Sequence, residues 1–255
     1  VRRETWCLDA GLLRELCLKL DRQGQKIKAV IPVHLYGCAC DMEEILRLSS
    51  EFGFAVVEDA TEALGARLKG RHVGSFGDIG CFSFNGNKTI TTGAGGMIVT
   101  NSKELADKCR YLVNQARDAG DRYFHSEMGF NYRMSNLAAA LGLAQMERLP
   151  GLIRQKKAIA ARYRQGLNGA RGLQLHPEPM GVDGAFWLYS IALTNGHNRD
   201  AWLNSLAAEG IAARRFFEPL HNHPYMAASL WRNTPEGPRM GPSGVSDDLS
   251  ARGIN

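Results

Sequence analysis

Apolar positions switch between two periods along the first hundred residues. "LDAGLLRELCLKL", residues 8 to 20, repeats its apolar side chains at helical spacing, whereas "IKAVIPVHLYG", 27 to 37, is the near-continuous apolar run of a buried strand. "DMEEILRLSSEFG" returns to helical spacing, with Asp41 where an N-cap accepts free backbone N–H groups and Gly53 where a left-handed residue closes a helix. "FAVVEDA" then reads as a second buried strand. Such alternation predicts an α/β fold, a parallel sheet joined by crossover helices, in which ligands gather at the carboxyl ends of the strands. At those ends stand "VHLYG", with His34 and Tyr36, and "EDATEALGA", with Asp59 and Glu62.

The next alternation isolates one charge. "GCFSF", 80 to 84, reads as a short strand between the glycines of "GDIG" and the turn-forming "NGN", and "GGMIVT" as the strand after it. Lys88 therefore belongs to a loop between two core strands. A lysine is ordinarily a solvated surface residue, because an ammonium is costly to bury without a partner. One retained in such a loop can be held for its amine, which a poorly solvated or cationic environment makes nucleophilic and able to form a Schiff base. Asp59 ends an apolar strand beside Glu58. A carboxylate there can cap the next helix or bind loop amides; paired with a Schiff-base lysine, it can instead keep a pyridine nitrogen protonated, the minimum apparatus for pyridoxal phosphate (PLP) chemistry.

Further along, residues 1 to about 150 read as one large domain and 151 to 255 as a smaller one, entered by a helix from Leu152 to Leu167. In the second, "AFWLYSIAL" is expected as a strand and "RDAWLNSLAAEG" as an amphipathic helix ending at Gly210. "HPEPMGVDG" and "NTPEGPRMGPSG" are expected as loops by their Pro and Gly content. "GAGG" precedes a strand, whereas a dinucleotide fingerprint must follow one and open a helix. The basic run "RQKKAIAARYRQ" repeats at helical spacing, as a solvated helix face does. No internal repeat is visible.

Composition narrows the classes. The 255 residues are 44% hydrophobic and 22% charged, a globular balance with no apolar run of membrane-spanning length and no signal peptide, so a cytoplasmic location is expected and no membrane partner. The net charge of +5 suits anionic small ligands, and the dispersed basic residues carry no nucleic-acid-binding signature. Six scattered cysteines lack the paired spacing of a zinc site, so free thiols and no metal are expected.

"VVEDATEALGA", "GDIGCFSFNGNKTITTGAGG" and "MGFNYRMSNLAAALGLAQMERL" resemble three successive signature blocks of the DegT/DnrJ/EryC1/StrS sugar aminotransferases, with a weaker likeness through "FFEPLHNHPYM" and "LSARGIN". The resemblance implies a PLP-dependent transferase of fold type I, a mostly parallel sheet flanked by helices with a smaller C-terminal α/β domain. It also implies a homodimer with shared active sites, moving an amino group from L-glutamate, which leaves as 2-oxoglutarate, to a UDP-, GDP- or dTDP-linked keto-sugar. Matched by motif, Lys88 is the Schiff-base lysine, Asp59 faces the pyridine nitrogen, Ser83 bonds the cofactor phosphate, and Asn131 reaches the phosphate bound by the neighbouring subunit. Glu62 stands where many relatives carry a glutamine near the cofactor ring, and Ala94 departs from the commoner glycine or glutamate. His34, Tyr36, Arg133 and His221 are candidate substrate contacts, though a structural role is equally open to a histidine or tyrosine beside a strand. A dehydratase branch carries histidine in place of this lysine, so lysine here favours transamination. Family members are longer, and the matched blocks imply a strand, a phosphate loop and a stacking aromatic ahead of residue 1. The alternatives are a catalytically inactive PLP-family protein or truncated fragment, and an unrelated Rossmann-type binding domain.

Overall fold

The computed structural model describes residues 1–120, 122–194, 196, 198–229 and 244–255. Helix α1, Ala10–Arg22, starts where Asp9 accepts the N–H groups of Gly11 and Leu12. Helix α2, Met42–Phe52, is capped by Asp41 and closed by Gly53 at φ 73°, a conformation glycine adopts without a Cβ penalty. Its Met42, Ile45 and Leu48 are fully buried, one apolar face contributing about 1.5–3 kcal/mol per side chain.

Between and after these helices run β1 (Ala29–Val30), β2 (Ala55–Asp59), β3 (Arg67–Leu68), β4 (Arg71–His72), β5 (Ile79–Ser83) and β6 (Gly96–Val99). The main sheet has the order β1-β2-β5-β6; β1, β2 and β5 are parallel and β6 is antiparallel to β5. The apolar run at 27 to 37 gives a shorter strand than its pattern suggests. Pro32 has no N–H to pair, so beyond Val30 the pairing with β2 continues only as a bridge from Val33 to Asp59. The segment "GGMIVT" forms β6, the last strand of this sheet among the described residues, with Met97 52% and Ile98 44% exposed. Beside it a groove of about 1130 Å3 is lined by Met97, Val99, Cys109, Val113, Tyr132 and Met134.

The remaining elements are α3 (Lys103–Val113), α4 (Asn136–Leu167), β7 (Leu173–Leu175), β8 (Val182–Asp183), β9 (Ile191–Leu193), α5 (Arg199–Ala208), α6 (Pro224–Ser229), α7 (Gly244–Arg252) and β10 (Gly253–Ile254). Helix α4 starts at Asn136 and not near Leu152, because "NLAAALGLAQMERL" is rich in helix formers and a single internal Pro150 costs one backbone bond without ending it. "AFWLYSIAL" is strand only in its last three residues, and β8 falls inside the expected loop "HPEPMGVDG", where it pairs with β3. Residues 233 to 243 of "NTPEGPRMGPSG" lie outside the described residues.

Internal contacts define two units, and the division is not a single cut near residue 150. One comprises Cys7–Ala160 and Glu178–Trp187, with the main sheet and the β4-β3-β8 sheet. The other comprises Val1–Trp6, Ala161–Pro177 and Leu188–Asn255, with the β10-β9-β7 sheet. Its core sets the Trp6 ring edge-on to His176 and Phe216, at 5.6 and 5.1 Å between centroids. Burial, helped by the Arg164 charge, lowers His176 to about 4. Among the described residues no helix is long and apolar enough to cross a membrane, and no cluster of three His, Cys, Asp or Glu could hold a metal ion.

A buried carboxylate organises the floor of the main sheet. Glu58 has no exposure and accepts the N–H groups of Gly74 (2.7 Å), Gly77 (2.7 Å) and Phe76, together with His34 Nε2 at 3.0 Å. Cys40 N–H donates to His34 Nδ1, so the ring is the tautomer protonated on Nε2, which donates to Glu58. Burial alone would raise Glu58, but these hydrogen bonds outweigh it and hold the carboxyl below its ordinary value. The 74–77 loop approaches β5 so closely that a Cβ on Gly80 would overlap the Gly74 carbonyl. Gly80→Ala is therefore expected to lower stability by about 2 kcal/mol, read as a lower urea midpoint; an unchanged midpoint would contradict this close approach.

Candidate active site

The loop from Phe84 to Gly95 joins β5 to β6 and is pinned at its base. Ser83 pairs with Gly96, Phe84 N–H donates to the Gly95 carbonyl, and Thr92 N–H donates to that of Phe84. Within it, Lys88 N–H donates to the Asn85 carbonyl, and Asn85 N–H to Ser83 Oγ at 3.3 Å. The Lys88 side chain is only 13% exposed. Its Nζ lies 3.7 Å from Glu62 Oε1 and 3.7 Å from the centre of the Trp187 ring.

Glu62 follows β2 and is itself buried, with Oε2 accepting the Tyr36 N–H at 2.8 Å. Burial raises its carboxyl above the usual range; the Tyr36 hydrogen bond and the Lys88 charge pull the other way, and the Asp59 charge adds to the rise. Asp59 is the last residue of β2, half-buried, with Oδ1 accepting the Thr61 N–H at 3.1 Å. Ser83 is the last residue of β5. The carboxyl ends of two adjacent parallel strands thus present Asp59, Glu62, Ser83 and Lys88 together.

Of the other candidates, Tyr36 adjoins this group through its backbone N–H. His34 is fully buried with both ring nitrogens engaged, so it makes no substrate contact; it orders the 34–40 segment against Glu58. Tyr36 is also fully buried. It serves through its backbone N–H on Glu62 and through its ring, stacked toward Trp187 at 6.5 Å between centroids. Asn131 is exposed and bridged to Asn114, whose side chain is 3.4 Å from Arg133 Nη1, also exposed. His221 belongs to the other unit, where its Nε2 is 2.9 Å from Asp247 Oδ1.

Two residues escaped the reading of the sequence. Glu58 looked like a neighbour of Asp59 and proves to be the buried hydrogen-bond hub. Trp187 was absorbed into an expected strand; it is 3% exposed, and its Nε1–H donates to the Asn87 carbonyl at 2.8 Å, 100 residues away in the chain. Nothing in its local pattern signals this, because the contact depends on where the chain returns.

A phosphorylated pyridine aldehyde requires a primary amine shielded from water, a carboxylate for its ring nitrogen and donors for its phosphate. Lys88, Asp59 and the Ser83 hydroxyl meet those needs, the nearly buried Lys88 amine being the observation that carries the fit.

Comparison with known proteins gives concordant results. The DegT/DnrJ/EryC1/StrS aminotransferase family profile matches residues 1–238. The chain is 42% identical over 252 residues to a GDP-perosamine synthase of Escherichia coli O157:H7, covering 99% of this chain and 64% of that protein. It is 46% identical over 233 residues to a GDP-perosamine synthase of Vibrio cholerae, covering 91% and 61%. Its fold superposes with a TM-score of 0.85 and 27% identity on the crystal structure of a DegT DnrJ EryC1 StrS aminotransferase from Brucella abortus, covering all of this chain and 65% of that one. The chain therefore spans less than two thirds of the length of each of these proteins. The architecture is the PLP-dependent transferase fold of type I.

Proposed function

The chain belongs to the DegT/DnrJ/EryC1/StrS aminotransferase family, and on that premise we propose that it transfers an amino group from L-glutamate to a nucleotide-linked keto-deoxysugar, using PLP. The nearly buried Lys88 amine beside Glu62, at the carboxyl ends of β2 and β5, carries this reading. The likeness to two GDP-perosamine synthases favours a GDP-linked substrate over a UDP- or dTDP-linked one. The product would be an amino sugar for surface polysaccharide or related glycans, made in the cytoplasm.

Bound at this site, PLP supplies an electron sink for the carbanion left when a substrate C–H bond breaks. Lys88 would hold the cofactor through Nζ, and its free amine would take the proton from the donor's alpha carbon. Glu62 Oε1, 3.7 Å away, steadies the ammonium so formed. Asp59 would hold the proton on the ring nitrogen, and Ser83 would donate to the phosphate. Asn131, exposed in a single chain, would complete the phosphate site of a partner subunit, which makes the working form a homodimer with shared sites. Tyr36 N–H fixes Glu62, and the buried Trp187 ring helps keep bulk water from the amine. In the overall exchange, glutamate gives up its amino group and alpha hydrogen for a carbonyl oxygen and leaves as 2-oxoglutarate. The sugar ketone exchanges its oxygen for that amino group and a hydrogen.

The test is to add PLP, reduce with borohydride and map the modified peptides. A visible absorption band that reduction removes, with the pyridoxyl group on Lys88, is the expected result. A label on another lysine, or none, overturns the proposal.

A further inference from the structure

We propose that Trp187 is a positioning residue for Lys88: its indole face receives the Lys88 ammonium whenever that group is not bonded to the cofactor. Its Nε1–H meanwhile fixes the neighbouring Asn87 carbonyl. The proposal rests on the transaminase reading above, in which Lys88 must be released and then act again nearby. A lysine side chain is long and flexible, and a freed amine that swings into water loses the orientation on which proton transfer depends. Here the ammonium lies 3.7 Å from the ring centre, well within the range of attraction between a cation and an aromatic face, and the same indole binds the loop one residue earlier.

The segment carrying Trp187 is built to bring the ring in. Ala185 N–H donates to the Gly37 carbonyl at 2.9 Å, and Lys156 Nζ donates to the Trp187 carbonyl at 3.0 Å. Tyr36 and Phe186 lie on the two strands of chain at this crossing with φ of 53° and 48°, a left-handed conformation that aromatic residues rarely adopt. Between them Gly37 has no room for a side chain, since a Cβ would lie 2.6 Å from Phe186 N and 2.9 Å from Trp187 N. Two strained residues and an obligatory glycine are spent on one placement. A tryptophan needed only for packing would not require its face turned to an ammonium.

The test uses protein freed of cofactor, so that it reads the lysine and not turnover. Lys88 is modified with trinitrobenzenesulfonate across a range of pH, and its labelling is followed by peptide mass mapping. The indole face holds the ammonium, so Trp187→Leu, equally apolar but without the face, should raise Lys88 labelling several-fold across that range. Trp187→Phe keeps an aromatic face and should stay close to the native profile. Trp187→Met replaces the leucine variant if that one does not fold. An unchanged profile in the leucine or methionine variant overturns the proposal, as does a phenylalanine variant shifted just as far. PLP trapping is scored separately on the native protein, so its failure would remove the transaminase reading while this titration still reports on Trp187.

Discussion

Lys88→Ala is expected to lose amino transfer by a factor on the order of 10^3 to 10^4, because the substitution deletes both the covalent anchor and the group that moves the proton. Lys88→Arg should fail almost as completely, since a guanidinium keeps the charge but does not give up its proton at any working pH. The pair separates nucleophile and base from mere charge. The fold should survive the alanine change. Burial already raises Glu62, so that without its cationic neighbour it can take up a proton and need not remain a stranded buried anion. The measurement is release of 2-oxoglutarate from glutamate in the presence of a GDP-linked keto-sugar, with a thermal melt as the folding control. Appreciable transfer by Lys88→Ala would sink the assignment of this lysine.

The largest structural effect is expected at Glu58. Replacing it with alanine leaves His34 Nε2–H and the N–H groups of Gly74, Phe76 and Gly77 facing a cavity. Losing one partner of such a buried network costs about 3–5 kcal/mol, a large share of the roughly 5–15 kcal/mol that a domain has in total. Glu58→Gln should recover part of this, because its carbonyl still accepts while its amide group must face donors. The pH dependence has a definite sign. The folded-state pKa of Glu58 is lowered, so its stabilisation is complete above the ordinary glutamate pKa and is lost as pH falls through the folded value. Urea midpoints between neutral and acidic pH should therefore fall more steeply in the native protein than in Glu58→Gln. Parallel falls, or a native-like midpoint in Glu58→Ala, would show that the hub contributes little.

What could be read from the chain alone followed the range of the interaction. Asp41 and Gly53 bracket α2 through bonds to backbone a few residues away, so their types at that spacing were enough. Asp59, Glu62 and Lys88 were legible for a related reason: alternation of apolar strand and helix fixes which ends of the strands come together, whereas Ser83 entered only through the resemblance of its motif. The pattern failed where neighbours are distant. Glu58 and Asp59 are adjacent acids, and only the return of the 74–77 loop makes the first a buried acceptor and leaves the second at the strand end. His34 followed the same rule, since its burial depends on Glu58 and Cys40 together.

The return of Trp187 bears on the order in which the site comes together. Its indole binds the Asn87 carbonyl across 100 residues of chain, and contacts so distant in sequence close more slowly than the local turns of a helix such as α2. The strand ends carrying Asp59 and Ser83 can thus be in place while Lys88 still lacks its ring. Shielding of the amine becomes a late event in folding, and the reactive group matures after the frame that holds it.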